Sequence, residues 1–246
     1  PTIYLISIGI ISEDNREYYA ISKDFNLKEA WNRNDLDKNH TRNYKQKDNY
    51  WIRDNVLKPI YEELFKKWMS EINSLTGDEY VYFNYSNLKE LINKYGKTNK
   101  EITKEIKNFV YIENKDKGGQ LILGSFIPNI YPEIEFYGYY CDYDWVVFCW
   151  LFGRMIDLPK GFPMYCNDLK QELDRVVNSL KSFELSKLVY PTCSNNVFEG
   201  LDTGLLTDRV KCLEYSTDYP KQNNEHNALE DARWNKKLYN FLNKIK

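Results

Sequence analysis

The apolar positions of this chain follow two different periods, and the switches between them predict its elements. Ile3 to Ile11 is a continuous apolar run, β-branched in large part and closed by the polar Ser12-Glu13-Asp14-Asn15; Arg16 to Ile21 is a second strand-like run. Two such runs joined by a short polar turn read as a hairpin. The first is apolar on both faces, which is the pattern of a central strand. Helical spacing follows. Ile60, Leu64, Trp68 and Ile72 line up on one face, Phe65 and Met69 widen it, Pro59 sits near the first turn and Gly77 marks the end. Tyr80 to Phe83 predicts a short strand. Ser86 is placed as the N-cap of a helix carrying Leu88, Leu91 and Ile92, stopped at Gly96. Thr98-Asn99-Lys100-Glu101 has the form of a capping box, and Ile102, Ile106, Phe109 and Val110 make the stripe behind it.

Gly118-Gly119 breaks the chain before a predicted strand at Gln120 to Leu123. Glu135 to Cys141 predicts another strand, running into Asp142-Tyr143-Asp144 and a helix with Trp145, Phe148, Cys149, Phe152 and Met155 that ends before Pro159. A last amphipathic helix carries Ala228, Ala232, Leu238, Phe241 and Leu242. Strands alternate with helices, so the expected class is α/β, with helices packed on a sheet. Two stretches interrupt the alternation. Residues from about 30 to 50 are polar, and those from about 185 to 224 lack clean periodicity and carry Pro191, Gly200, Gly204 and Pro220. Both read as insertions in a single domain spanning 1–246, with no internal repeat.

Composition narrows the function classes. The 246 residues are enough to bury a sizeable core, and 28% charged with 42% apolar residues is ordinary for a globular protein. A net charge of -2 argues against a passive nucleic-acid coat, which would be basic. It does not argue against a nuclease, because a metal site concentrates carboxylates. The stretch from Lys94 to Lys117 also holds Lys97, Lys100, Lys104, Lys107 and Lys115; it reads either as a solvated helix face with its loops or as an edge that contacts phosphates. Five cysteines without a C-x-x-C pair predict neither a disulfide framework nor a zinc site. No signal peptide and no apolar run long enough to span a bilayer are evident, so the expectation is a reduced, cytoplasmic protein.

Two groups of residues carry candidate chemistry. Asp142 and Asp144 lie where a strand hands over to a helix, the place where ligand sites gather in open α/β sheets. A simple N-cap is the competing reading. His226 opens the last helix, and Asp231 follows about one and a half turns on. Histidine's ordinary pKa near 6.5 suits general-base work at neutral pH. Taken alone, His-x-x-x-x-Asp is a weak pattern. The only other histidine, His40, lies in the polar stretch and reads as surface.

The blocks become specific in combination. Leu5-Ile6-Ser7-Ile8-Gly9-Ile10, Trp51 to Pro59, Tyr139 to Trp145, Leu151 to Met155, Pro163-Met164-Tyr165, Asp168 to Gln171 and His226-Asn227-Ala228-Leu229-Glu230-Asp231-Ala232-Arg233 occur in order over about half of the chain. In this the chain resembles the DEDDh 3′–5′ exonucleases, and most closely their small exoribonuclease branch. The resemblance implies an RNase H-like fold, a mixed central sheet flanked by helices. It also implies two Mg²⁺ or Mn²⁺ ions that activate water for phosphodiester hydrolysis. Residue by residue, it makes Asp144 and Asp231 metal ligands, His226 the general base and Asp142 a supporting group. Tyr143 and Trp145 become candidates to stack terminal bases, although core packing suits Trp145 equally well. Asp168 and Lys170 would line the cleft or form a solvated turn.

The implied substrate is the 3′ end of single-stranded RNA. DNA is the alternative substrate, and a homodimer is compatible with the reading. One motif is missing. The family's Asp-x-Glu, carried on its opening strand, has no counterpart after Pro1, and Glu13 and Glu17 lie beyond the wrong strand to replace it. The expectation is that it lies upstream of Pro1, and that the chain as given binds metal poorly. The rival reading is a degenerate nucleic-acid-binding or interaction protein on the same fold, with the two insertions as its partner surface.

Overall fold

The predicted hairpin opens the structure, a computed structural model that describes residues 4–34, 50–71, 82–111, 134–189, 206–222 and 225–246. β1 (Ser7–Ile11) pairs antiparallel with β2 (Glu17–Ile21), Gly9 opposite Tyr19. The turn is tied by the Asp14 carboxylate, which accepts from Ser12 and pairs with Arg16 at 2.8 Å. Together these partners hold the Asp14 carboxyl down at about 2. Arg16 then reaches across to donate to the Phe109 carbonyl at 2.6 Å and covers that ring at 4.8 Å.

Helices follow as α1 (Leu27–Asn32), a π-helical turn at Arg53–Leu57 that runs into α2 (Lys58–Glu71), α3 (Tyr85–Tyr95) and α4 (Asn99–Val110). Their apolar faces bury Leu57, Ile60, Leu64, Leu88 and Ile92 around Ile21 and Phe25. The capping box at Thr98 forms, with Glu101 reaching back to the Thr98 amide at 2.7 Å. α3 is capped by Asn84 rather than Ser86: the Asn84 side-chain Oδ1 accepts from the Asn87 amide at 2.9 Å, two residues earlier than the sequence pattern placed the start. Residues 30–32 end α1 instead of opening a loop, because Ala30 is buried. In the basic stretch, Lys94 and Lys97 pair with Glu71 and Glu105, as on a solvated face; Lys115 and Lys117 lie outside the described residues.

Downstream come β3 (Tyr137–Gly138), α5 (Asp142–Phe152), a 3₁₀ turn at Met155–Asp157, β4 (Asn167–Asp168), α6 (Leu169–Ser179), α7 (Ser182–Val189), α8 (Leu206–Glu214) and α9 (Ala228–Ile245). β3 and β4 are parallel. Leu169, Leu173, Val176 and Val177 form the inner face of α6, packed with Leu185, Leu213, Trp234, Leu238 and Leu242. Gly153, at φ +116°, ends α5 where other residues would be strained.

The chain divides into two compact units, Pro1–Ile122 with Asn224–Glu230, and Leu123–Asn223 with Asp231–Lys246. The architecture is mixed and helix-rich. It departs from the expected central sheet in that the described residues form two separate two-stranded ladders. β1 is half-buried throughout, and a backbone segment, not a further strand, covers part of it: Gly9 lies against Ala228 and Leu229. The strand predicted from Glu135 to Cys141 shrinks to two residues, because the Tyr140 amide turns to the Asp168 carboxylate at 3.2 Å. The stretch from 185 to 224 is not simply irregular, since α7 and α8 supply Leu185, Val210 and Leu213 to a core. Of the strand at Tyr80 to Phe83, residues 82 and 83 are not in a strand; residues 80 and 81, Ile72, Gly77 and the strand at Gln120 to Leu123 lie outside the described residues.

Candidate functional site

Asp142 and Asp144 are the first and third residues of α5. The N-cap is Cys141, and no side chain caps the helix by a hydrogen bond, so the capping role open to these aspartates is not the one they take. Carboxylates in a first turn are favoured by the helix dipole. Asp144 nevertheless has its carboxyl raised above the ordinary 3.8, first by desolvation and second by repulsion from the Asp231 carboxylate. Surface is left on the residue as a whole, yet its carboxyl is crowded enough to lose hydration. The structure thus brings Asp144 and Asp231 close enough to repel.

Asp231, half-buried near the start of α9, accepts a hydrogen bond from Gln222 Nε2 at 2.8 Å. The same loop is fastened to the helix by Trp234, whose indole donates to the Pro220 carbonyl at 2.9 Å. Gln222 had no sequence signal, because it lies in the stretch without periodicity.

His226 stands just before α9, exposed, with its backbone in the left-handed region at φ +72°. Its ring meets Trp51 edge-on, centroids 4.7 Å apart. Asn227 supplies the cap that lets the helix begin, accepting from the Leu229 and Glu230 amides at 3.1 and 3.2 Å. Gly9 fixes the next residue, since a Cβ there would lie 2.2 Å from the Ala228 carbonyl oxygen. Trp51 opens one of the blocks read from the sequence, but nothing in that block marked it as the neighbour of His226.

The aromatic candidates separate. Tyr143 is 72% exposed, whereas Trp145 is buried. Trp145 stacks on Phe148 at 5.0 Å and its indole donates to the Met164 carbonyl at 3.3 Å, so its surroundings are those of core packing and not of a base platform. Trp150, on the Tyr143 face two turns along α5, is an exposed aromatic that the sequence reading passed over. Asp168 caps α6 through the Lys170 amide at 2.7 Å, and Lys170 pairs with Asp174; both serve the turn.

Cys141 and Cys166, free of disulfides, lie within hydrogen-bond reach of one another beside the β3–β4 ladder. The Cys166 thiol donates to Cys141, which lowers Cys141 and pushes Cys166 up. Among the described residues no group of three or more His, Cys, Asp or Glu side chains is gathered tightly enough to hold a metal ion. No described helix is long and apolar enough to cross a membrane.

No protein-family model matches the chain. Over 170 residues, 69% of its length, it is 24% identical to a 3′–5′ exoribonuclease of Mycobacterium tuberculosis, found in strain CDC 1551 and in strain H37Rv. The matched region spans 64% of the length of these curated relatives.

Proposed function

We propose that residues 1–246 form an RNase H-like DEDDh exonuclease domain that acts as a metal-dependent 3′–5′ exoribonuclease. The observation that carries the reading is the Asp144–Asp231 pair, two carboxylates near enough that the charge of Asp231 helps to raise the Asp144 carboxyl. Distant similarity to the mycobacterial exoribonucleases supports the same direction. Hard oxygen donors of this kind fit Mg²⁺ or Mn²⁺, and Asp144 and Asp231 would hold such ions. When bound, the ions acidify water and neutralise charge on the scissile phosphate.

The chain's own residues do the rest. Gln222 fixes the orientation of the Asp231 carboxylate. His226 accepts the proton of the attacking water. The P–O3′ bond breaks, leaving a 3′-hydroxyl on the shortened RNA and a nucleoside 5′-monophosphate. Asp142 supports Asp144 in the same helix turn, and the exposed Tyr143 ring stacks a terminal base.

The test is hydrolysis of 5′-labelled single-stranded RNA by the full natural protein with Mn²⁺, Mg²⁺ or chelator, beside the same sequence as DNA. Stepwise loss from the 3′ end, abolished by chelator and by His226→Ala or Asp231→Ala, is the expected result. RNA binding without release of mononucleotide overturns the enzyme and leaves a binding protein, and a preference for the DNA strand replaces the substrate.

A further inference from the structure

A groove enclosing about 430 Å³ runs between the loop at Thr217–Lys221 and one flank of α9. Tyr219 and Phe241 form its floor, their rings edge-on at 5.5 Å. Lys221, Lys237, Asn240 and Lys244 form its rim. Positions 237, 240, 241 and 244 recur at the spacing of a single helix face. All three lysines are exposed, and none takes part in an ion pair among the described residues. Asp218 is the one carboxylate in the lining, so three lysines less one aspartate leave the groove at +2, in a chain whose net charge is -2.

The direction of the loop connects this groove to the carboxylate pair. Tyr219 meets Phe241, Pro220 holds Trp234, and Gln222 holds Asp231. The loop therefore steps along α9 toward its start and ends at Asp231. At 1.5 Å per residue, Lys237 and Lys244 stand about 9 and about 20 Å along the axis from Asp231. Positive charges strung along a line suit a linear polyanion better than a single small anion.

We infer that this groove carries backbone phosphates of a single-stranded RNA, several nucleotides 5′ of the end being cut. The inference rests on the exoribonuclease reading for the identity of its polyanion. The parent protein should bind an RNA of about twelve nucleotides much more tightly than one of about three. In Lys221→Gln/Lys237→Gln/Lys244→Gln that dependence on length should largely disappear. The slope of log affinity against log salt should also shrink by about 2, at about 0.7 per lost phosphate contact.

Fluorescence anisotropy in chelator measures this without turnover, and an unchanged melting temperature shows that the variant is folded. A triple variant that keeps the parent's length dependence and salt slope overturns the groove. So does displacement of the long RNA by polyglutamate as effective as by unlabelled RNA, which assigns the surface to an acidic polypeptide. A parent that holds long RNA through these lysines yet releases no mononucleotide with Mn²⁺ sinks the exoribonuclease reading and leaves the groove standing.

Discussion

Replacing Gly9 with alanine tests how the segment bearing His226 is held. An added Cβ would lie 2.2 Å from the Ala228 carbonyl oxygen, 2.4 Å from its carbon and 2.5 Å from the Leu229 nitrogen. Ordinary contacts between such atoms begin about 1 Å further out. All three obstacles are backbone, so no side chain can rotate away, and β1 or the first turn of α9 must move. Overpacking of this kind costs about 1–3 kcal/mol, and the absence of a soft neighbour puts Gly9→Ala at the upper end, about 3 kcal/mol. At about 2–4 °C per kcal/mol for a chain of this size, the melting temperature should fall by about 6–12 °C. The displacement should also reach His226, two residues from the clash. Only two histidines are present, so the Hε1 signals of His226 and His40 can be told apart in a proton spectrum. A melting temperature within about 1 °C of the parent, with the His226 signal unmoved, refutes the claim that bare glycine at position 9 sets this packing.

Three further outcomes follow from other contacts. A carboxyl held above its ordinary 3.8 binds its proton more tightly folded than unfolded. Its ionisation therefore lowers stability as pH rises above 3.8, and the penalty is complete once the folded group has also ionised. Asp144→Asn should melt higher than the parent at pH 7 without metal while losing nuclease activity, and the gain should vanish below pH 3.8; a lower melting temperature at pH 7 contradicts the desolvation and repulsion assigned to this carboxyl. Trp51→Ala should lower kcat more than it raises KM and shift the His226 Hε1 signal, with Trp51→Phe restoring most of both; an unchanged signal removes Trp51 as a positioning residue. Thr98→Ala breaks the capping box of α4 and should cost about 1 kcal/mol, read from chemical unfolding; no loss means that Glu101 alone satisfies the helix start.

What the sequence made legible was local. The hairpin, the capping box at Thr98, the stop at Gly96 and the long final helix each depend on residues a few positions apart, and each forms. The apolar pattern of β1 stated that both faces would be covered but not by what, and covering by the Ala228–Leu229 backbone leaves the same pattern as covering by a strand. α7 and α8 are about two turns long, too short for a period to stand out, and they became visible only through Leu185, Val210 and Leu213 meeting in one core. The site follows the same division. Asp144, Asp231 and His226 were marked by the resemblance of their blocks to the exonucleases, the His-x-x-x-x-Asp spacing alone being weak. Trp51 and Gln222, which touch His226 and Asp231, were not, because contact between residues so far apart in sequence or in an aperiodic loop has no local signature.

The two aspartates also bear on why the arrangement persists at all. A first-turn carboxylate gains from the helix dipole, and Asp142 and Asp144 both stand in the first turn of α5. At Asp144 the carboxyl is nevertheless raised, by desolvation and by the Asp231 charge. Stability alone would favour the neutral asparagine at position 144, which has no charge to desolvate. The Gln222 amide donates to Asp231, the other member of the pair. A fold that orients one acid and leaves its neighbour repelled has an electrostatic debt that a cation would cancel, and Mn²⁺ should therefore raise the melting temperature of the natural protein more than that of Asp144→Asn. Equal shifts in the two proteins would mean that the repulsion is incidental and that any metal sits elsewhere.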